Sequence, residues 1–462
     1  MSPLHRKPFV VAGLCAGLVV GAARPGEASV PDGYGFGSRA AGMAGAVSAD
    51  AVDFSASFYN PAGLVDAPGV SVGVGYMYNW QNLRVSGLDN EVGPVHGLVG
   101  GVVAPGVLFG VPFAFGIAVH LPDDGLSYIN ARRQGVPRWE LYDSRAQLLY
   151  LSANLAVQPL EWLSIGGGIA YLSATRGTFG IRGEANVLDP FASALEHEVD
   201  ADLTSVRFPQ VGVRFQIEDW AAIGLTYRGE SKLDLTLSAH LEGIVNFAGI
   251  DVPLLYELEA HTVAAFTPHQ VALGLSFQKV EGLRLNLDLT WLHWSAYSSP
   301  TAEIGALLDV KPPPGTPLKL PRAPAPSKLV APEFVDRVEP RFGAEYRIAL
   351  GDERRSVDDR APRPVVELPV RVGYAYQPSP VPDQSGETNL IDADRHTVTL
   401  GTGVSWNAPC DEIAGGLELD VHGAFSVLPE RVVLKDNPAD FVGDYRASGD
   451  IFSFGTTFGL GF

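Results

Sequence analysis

A chain of 462 residues is long enough for two or three soluble domains or for one large closed architecture. Only 18 % of it is charged against 46 % hydrophobic, and 52 Asp and Glu outnumber 33 Lys and Arg to give a net charge of −19. That balance excludes nucleic acid as a partner, and the absence of a three-residue glycine period excludes collagen.

The first segment reads as an address. Arg6 and Lys7 precede the apolar run 9–23, and Gly26-Glu27-Ala28 offers small residues to a signal peptidase, so residues 1–28 are expected to be cleaved after Ala28. Leu14 occupies the position before Cys15 where a lipid anchor needs a small residue, and the only other thiol is Cys410, so neither lipidation nor a disulfide framework is expected. Residues 29–66 come next, with Gly35, Gly37, Gly42 and Gly45 followed by Phe58-Tyr59-Asn60-Pro61-Ala62-Gly63-Leu64. They are too irregular for a strand and too apolar for a solvated tail, so they must be buried.

From residue 67 the pattern changes to strict alternation. Val70, Val72, Val74, Tyr76, Tyr78 and Trp80 share one face, and Phe452, Phe454, Phe458, Leu460 and Phe462 share another at the far end of the chain. A water-soluble sandwich also alternates. Here, however, several runs approach or exceed ten residues, the opposite faces are rich in Gly, Ser and Thr, and Trp80, Trp291, Trp294 and Trp406 gather toward strand ends. The expected fold is therefore all-β: a transmembrane antiparallel β-barrel of about 14 strands over residues 67–462, its lumen plugged by the N-terminal hatch 29–66. The uncharged stretch 97–122 reads as two strands joined at Pro105–Gly110, since its prolines forbid a spanning helix. The seventh, eighth and ninth strands are expected at 220–240, 256–279 and 282–303. Long connections after odd strands and short ones after even strands put the former outside the cell; 350–364 is long for a periplasmic turn.

Gly37-Ser38-Arg39-Ala40, Met43-Ala44-Gly45-Ala46 and Tyr59-Asn60-Pro61-Ala62-Gly63-Leu64, together with Arg371-Val372-Gly373-Tyr374, Ser379-Pro380-Val381-Pro382-Asp383 and Asp392-Ala393-Asp394-Arg395-His396, resemble the FadL/TodX-type outer-membrane transporters of long-chain fatty acids and other hydrophobic compounds. Trp291, Trp294-Ser295 and the terminal Phe462 fit the same pattern, while residues 90–260 match by architecture only. The resemblance implies passive, ligand-gated uptake of a hydrophobic molecule across the outer membrane of a Gram-negative bacterium, with lateral release. It also implies a monomer, gating at Asn60, Pro61 and Ala62, and recognition of Phe462 by the barrel-assembly machinery.

Candidate ligand contacts follow from the loops and the lumen. Asp189-Pro190 reads as a helix start, and Leu188, Phe191, Leu195 and Val199 recur at spacings of three and four, so a loop helix is expected there as a capture surface. Residues 122–143 add Leu126, Tyr128, Ile129 and Trp139 beside Arg132, Arg133 and Arg138, cations suited to a carboxylate or to lipopolysaccharide phosphates. Inside, Arg341 and Arg371 either meet a ligand carboxylate or form ion pairs with acids such as Glu345, Asp288, Glu418 and Asp420; a buried cation without a partner is costly, which favours the pairs. Two rival classes stay open. His293 and Ser295 lie two apart on one lipid-facing strand face, as in an outer-membrane lipid hydrolase, though no orienting third residue is evident. A structural or secretion-associated barrel would share the hatch and carry no lipid. No Walker loop, zinc spacing or nucleophile elbow is present, so neither cofactor nor metal is expected.

Overall fold

A computed structural model describes residues 30–90, 92–123, 137–139, 141–142, 149–186, 194–247, 250–297, 303–310, 333–354, 363–386, 388–407 and 416–462. The alternating stretches form a closed wall of 14 antiparallel strands. They are β1 (Ser71–Val85), β2 (Val95–Leu108), β3 (Val111–Pro122), β4 (Tyr150–Leu160), β5 (Leu163–Asn186), β6 (Ala194–Glu218), β7 (Ala221–Arg228), β8 (Gln270–Val280), β9 (Leu283–Leu292), β10 (Arg337–Arg354), β11 (Arg363–Gln377), β12 (Arg395–Trp406), β13 (Gly416–Val433) and β14 (Tyr445–Gly461). Each strand pairs with the next, and β14 returns to β1, with Ser71 opposite Gly461 and Val85 opposite Ala447. Closure satisfies every ladder internally, which is what a strand needs in lipid.

The pleat sorts side chains as the alternation requires. On β9, Leu285, Leu287 and Leu289 point out while Asn286 and Asp288 are buried; on β12, Val398 and Leu400 point out while Thr397 and Thr399 are buried. A continuous exterior belt of aliphatic side chains has no place in water and forms the lipid-facing band. Trp162, Trp220 and Trp406 rim its periplasmic end, and Trp80, Tyr227, Trp291 and Tyr374 rim the outer end. Among the described residues no helix is long and apolar enough to cross a membrane; the strands cross it.

Several elements differ from the expected ones. Pro105 lies inside β2, opposite Ala114, and the turn shrinks to Phe109-Gly110, both at positive φ (51° and 81°) as a two-residue hairpin demands. β7 and β8 are much shorter than 220–240 and 256–279. After Arg228 the chain leaves the wall, and Ser231–Phe247 and Ile250–Thr267 form a hairpin that pairs in parallel with the upper part of β5, Leu237 opposite Gly177, and carries Glu303–Val310 on its far edge. Alternation reports a two-sided sheet and not whether that sheet lies in lipid, so the sequence pattern merged the two. β9 stops at Leu292 rather than 303. Of the long turn at 350–364, residues 350–354 and 363–364 belong to strands, since β10 runs to Arg354 and β11 starts at Arg363, and 355–362 lie outside the described residues.

The expected loop helix is also corrected. Leu188 and Phe191 lie outside the described residues, but Leu195 and Val199 belong to β6, with Leu195 opposite Gly183 and Val199 opposite Phe179. Glu196, Glu198, Asp200 and Asp202 alternate with Leu195, His197, Val199, Ala201 and Leu203, and this period of two overrides the three-and-four spacing.

Candidate functional site

The lumen is occupied by residues 30–66. They form α1 (Val30–Tyr34), α2 (Ser38–Gly42), α3 (Ala56–Tyr59) and a 3-10 turn (Pro61–Asp66), and most of the segment is buried. Such short helices have little stability of their own. They are fixed by what surrounds them.

Glycines on the inner face of the wall give the hatch its seat. A methyl group on Gly73 or Gly101 would overlap Phe54, one on Gly116 would overlap Leu64, one on Gly166 Pro61, one on Gly224 Ser48, and one on Gly343 or Gly373 Met43. Asn60 then locks the seat: its Oδ1 accepts from the Ala62 N–H (3.0 Å), and its Nδ2 donates to Ser48 O (2.7 Å) and to Val213 O of β6 (3.2 Å). Pro61 opens the 3-10 turn where its missing N–H costs nothing.

Ion pairs tie the plug to four strands. Asp32 meets Arg228 of β7 (3.2 Å), Asp66 meets Arg214 of β6 (2.7 Å), Asp50 meets Arg284 of β9 (2.9 Å) and Arg39 meets Glu345 of β10 (3.3 Å). Arg39 also pairs with Asp50 inside the hatch. Burial opposes ionisation of Asp50, but Arg39 and Arg284 outweigh it and hold the carboxyl below the usual range. The sequence carried a signal for this set: Arg214 and Arg228 alternate in phase with the inner face, and charges inside an apolar, glycine-rich segment need partners.

The candidate arginines divide. Arg371 is engaged by Glu345 (2.6 Å) and Asp420 (2.6 Å). Arg341 binds Glu339 (2.7 Å) and borders a small cavity beside α1 that Arg395 and Tyr34 also line. Arg395, not singled out as a ligand contact from the sequence, holds Gly33 O (2.9 Å) and Ser426 Oγ (3.0 Å) and lies over the Tyr34 ring (5.5 Å). Its place in the Asp394-Arg395-His396 motif was the available clue.

Apolar side chains form a ladder from the mouth to the plug. Outermost are Leu292, Trp294, Tyr297, Phe334, Val381 and Leu390. Leu141 packs on that group and on the next, where Trp139, Tyr142, Ile391, Leu428, Tyr445 and Ile451 come together. Tyr34 joins this second group to the hatch core of Phe36, Phe54, Phe58 and Tyr150. Trp139 of the 122–143 segment is thus fully buried in the second group, 0 % exposed. Of its neighbours in sequence, Arg132 and Arg133 lie outside the described residues.

His293 and Ser295 are not on a common strand. β9 ends before them, Trp294–Ala296 is a 3-10 turn, and His293 stacks on Trp291 (5.4 Å) at the outer rim. Asp336 accepts from the Ser295 N–H (3.0 Å), so that acid is engaged by the serine backbone.

A lipid-embedded barrel whose lumen is plugged and lined by an apolar ladder defines an outer-membrane channel of the hatch-bearing class. Residues 34–458 match the family model "Outer membrane protein transport protein (OMPP1/FadL/TodX)", and the chain belongs to that family. It is 24 % identical over 430 residues to "Alkane uptake protein A" of Marinobacter nauticus, covering 88 % of this chain and 86 % of that protein. In fold it is similar to a Pseudomonas aeruginosa FadL homologue (16 % identity, TM-score 0.54, 92 % and 97 % coverage) and to the P. putida toluene transporter TodX (16 %, 0.51, 93 % and 99 %).

Proposed function

We propose that the protein carries hydrophobic small molecules inward across the outer membrane, without catalysis, through a hatch-gated lumen with lateral release. The observation that carries this reading is the ladder joined at Leu141 and Tyr34, which offers a greasy solute contacts from the mouth to the plug where water-filled channels offer none. Lateral release rests on the family likeness; at the outer rim β6 and β7 pair as far as Gln210 opposite Arg228, and Gly229 N–H donates to Pro209 O (2.8 Å). Behind that point lie Phe208 and Phe58, with Arg228 over the Phe58 ring (4.0 Å).

The relatives' names, an alkane uptake protein and a toluene transporter, favour neutral hydrocarbons as cargo. Long-chain fatty acids are the second reading, favoured by Arg395 and Arg341 beside the α1 cavity. Leu188, Phe191 and Leu195 serve as outer capture residues in this proposal, with Trp139 below them and Arg341 and Arg371 flanking the plug. The mature chain begins at Ser29 as a monomer amid lipopolysaccharide, inserted by assembly machinery that reads Phe462. The test is accumulation of labelled hexadecane, toluene and oleate by cells of a Gram-negative host lacking its own such channel. Uptake of at least one above the empty-vector rate is expected; equal rates for all three refute the reading.

A further inference from the structure

The outer wall carries a cleft where its apolar band ends. It lies between the outer ends of β12 and β13, measures about 370 Å³, and is bounded by Asp394, His396 and Glu430 together with Val381, Ala393 and Pro429. That volume is within the range of small-ligand sites, roughly 300 to 1,000 Å³.

The walls of the cleft are fixed by bonds already made. Ser379 N–H donates to Asp394 Oδ1 (2.9 Å), and the Tyr376 hydroxyl donates to Asp394 Oδ2 (2.6 Å). The Tyr374 hydroxyl meets His396 Nδ1 (2.8 Å). Arg431 donates to Ser379 Oγ (3.3 Å), Val381 O (2.7 Å) and Asp383 Oδ1 (2.9 Å), which fastens the 379–383 segment to the top of β13. A site assembled beforehand loses little freedom when a ligand enters it.

Position decides what that ligand is. His396 stands opposite Val427, and one step toward mid-membrane Val398 stands opposite Phe425, whose ring lies 4.7 Å from that of Phe452. These four apolar side chains are exposed on the lipid-facing surface. A molecule whose head fills the cleft lays its tail along them, so it is a lipid of the outer leaflet. Its head is not a simple phosphodiester, which Asp394 and Glu430 would repel. Carboxylate oxygens have further lone pairs to accept from hydroxyl and amide groups, and Val381, Ala393 and Pro429 offer apolar surface to the C–H face of a sugar ring. At the edge of the cleft Arg446 binds Glu430 (3.0 Å) and stays largely exposed, a guanidinium for a phosphate carried on that sugar.

We infer that this cleft binds an acylated, phosphorylated glycolipid of the lipid A class. The sugar fills the cleft with its hydroxyl and amide groups on Asp394, Glu430 and His396, its phosphate meets Arg446, and its acyl chains follow Val398, Phe425 and Phe452. The site is on the outside of the barrel and is independent of any path through the lumen.

The test is native mass spectrometry of the purified, delipidated full-length barrel in detergent, titrated with lipid A and separately with a mixture of phosphatidylethanolamine and phosphatidylglycerol. One lipid A per barrel should be retained at concentrations where neither phospholipid is. His396→Ala with Glu430→Ala, both exposed side chains, should weaken lipid A binding about tenfold, as the loss of hydrogen bonds to charged groups requires, while hydrophobic uptake is unchanged. Arg446→Gln tests the phosphate end by itself and should also weaken binding. His293→Ala, on the same rim but away from the cleft, should bind as the parent does. Equal retention of phospholipid overturns the glycolipid assignment. Lipid A binding that neither cleft variant lowers, or that His293→Ala lowers as much, overturns the site.

Discussion

Asn60 and Gly212 meet with no room between them: a methyl group on the glycine would overlap the amide Oδ1 that caps Ala62. Gly212→Ala must therefore push Asn60 from its seat on β6. Expected is a barrel that closes normally while its hatch becomes accessible to protease, with hydrophobic uptake altered at unchanged abundance. Asn60→Ala with Pro61→Ala should act alike, since it removes three hydrogen bonds worth roughly 0.5 to 1.5 kcal/mol each. Uptake that falls only in proportion to protein level would make these residues folding elements alone.

Arg39 bridges Glu345 and Asp50, but neither acid is left alone without it: Glu345 keeps Arg371 (2.6 Å) and Arg347 (3.0 Å), and Asp50 keeps Arg284 (2.9 Å). Arg39→Met should therefore cost less than the roughly 3 to 5 kcal/mol of a fully broken buried pair, and Glu345→Gln, which also loosens the hold on Arg371 and Arg347, should cost more. The double-mutant cycle, read from thermal unfolding in detergent, measures the coupling; additive effects would show that the pair does not anchor the plug.

The outer loop that closes over the lumen should respond to pH through Asp392. Burial pushes its carboxyl up to about 6, with Arg337 and hydrogen bonding from Ser379 and the Ala393 backbone lowering it only in part. A raised carboxyl stabilises the folded state when protonated, so stability is greatest below about pH 4 for this group and declines as pH rises through about 6. Asp392→Asn should raise the melting temperature at pH 8 and leave it unchanged near pH 4. A variant that melts like the parent at both values contradicts the assignment.

Sidedness follows from the wall. A tag placed in 311–332, between β9 and β10, should be reachable on intact cells, and one in 355–362, between β10 and β11, should not. Labelling with the reverse pattern would invert the barrel.

His293→Ala with Ser295→Ala should leave uptake within about twofold, because rim substitutions usually cost less than about 0.5 kcal/mol, and the Ser295 N–H that Asp336 accepts survives. Loss of a phospholipid hydrolysis present in the parent would instead make the barrel an enzyme.

The strand order and count were legible because lipid outside and a plug inside impose opposite demands on successive residues, and few other folds hold that period across Val70–Trp80 and Phe452–Phe462 alike. Strand ends were not. Ser231–Phe247 alternates as the wall does while lying off it, and Leu195 and Val199 satisfy a helical spacing by coincidence within a two-residue repeat. The hatch was legible as a buried segment, but its ion pairs depend on which strand lies opposite, and Arg39 meets Glu345 across 306 positions of chain. Trp139 was legible as apolar; only the pairing with Ile391 puts it inside the lumen.

The seam between β1 and β14 joins the two ends of the wall. The strand made last bonds to the strand that follows the hatch, from Ser71–Gly461 to Val85–Ala447, and the Phe462 N–H donates to Val70 O (2.8 Å). No shorter chain can close: without β14, the wall keeps two long unpaired edges. The inner glycines also hold the plug closely in the finished wall. A hatch already in place as the cylinder shuts would be gripped by that fit, and on this order a defect in the 34 to 66 segment should appear first as slow closure and only then as altered transport.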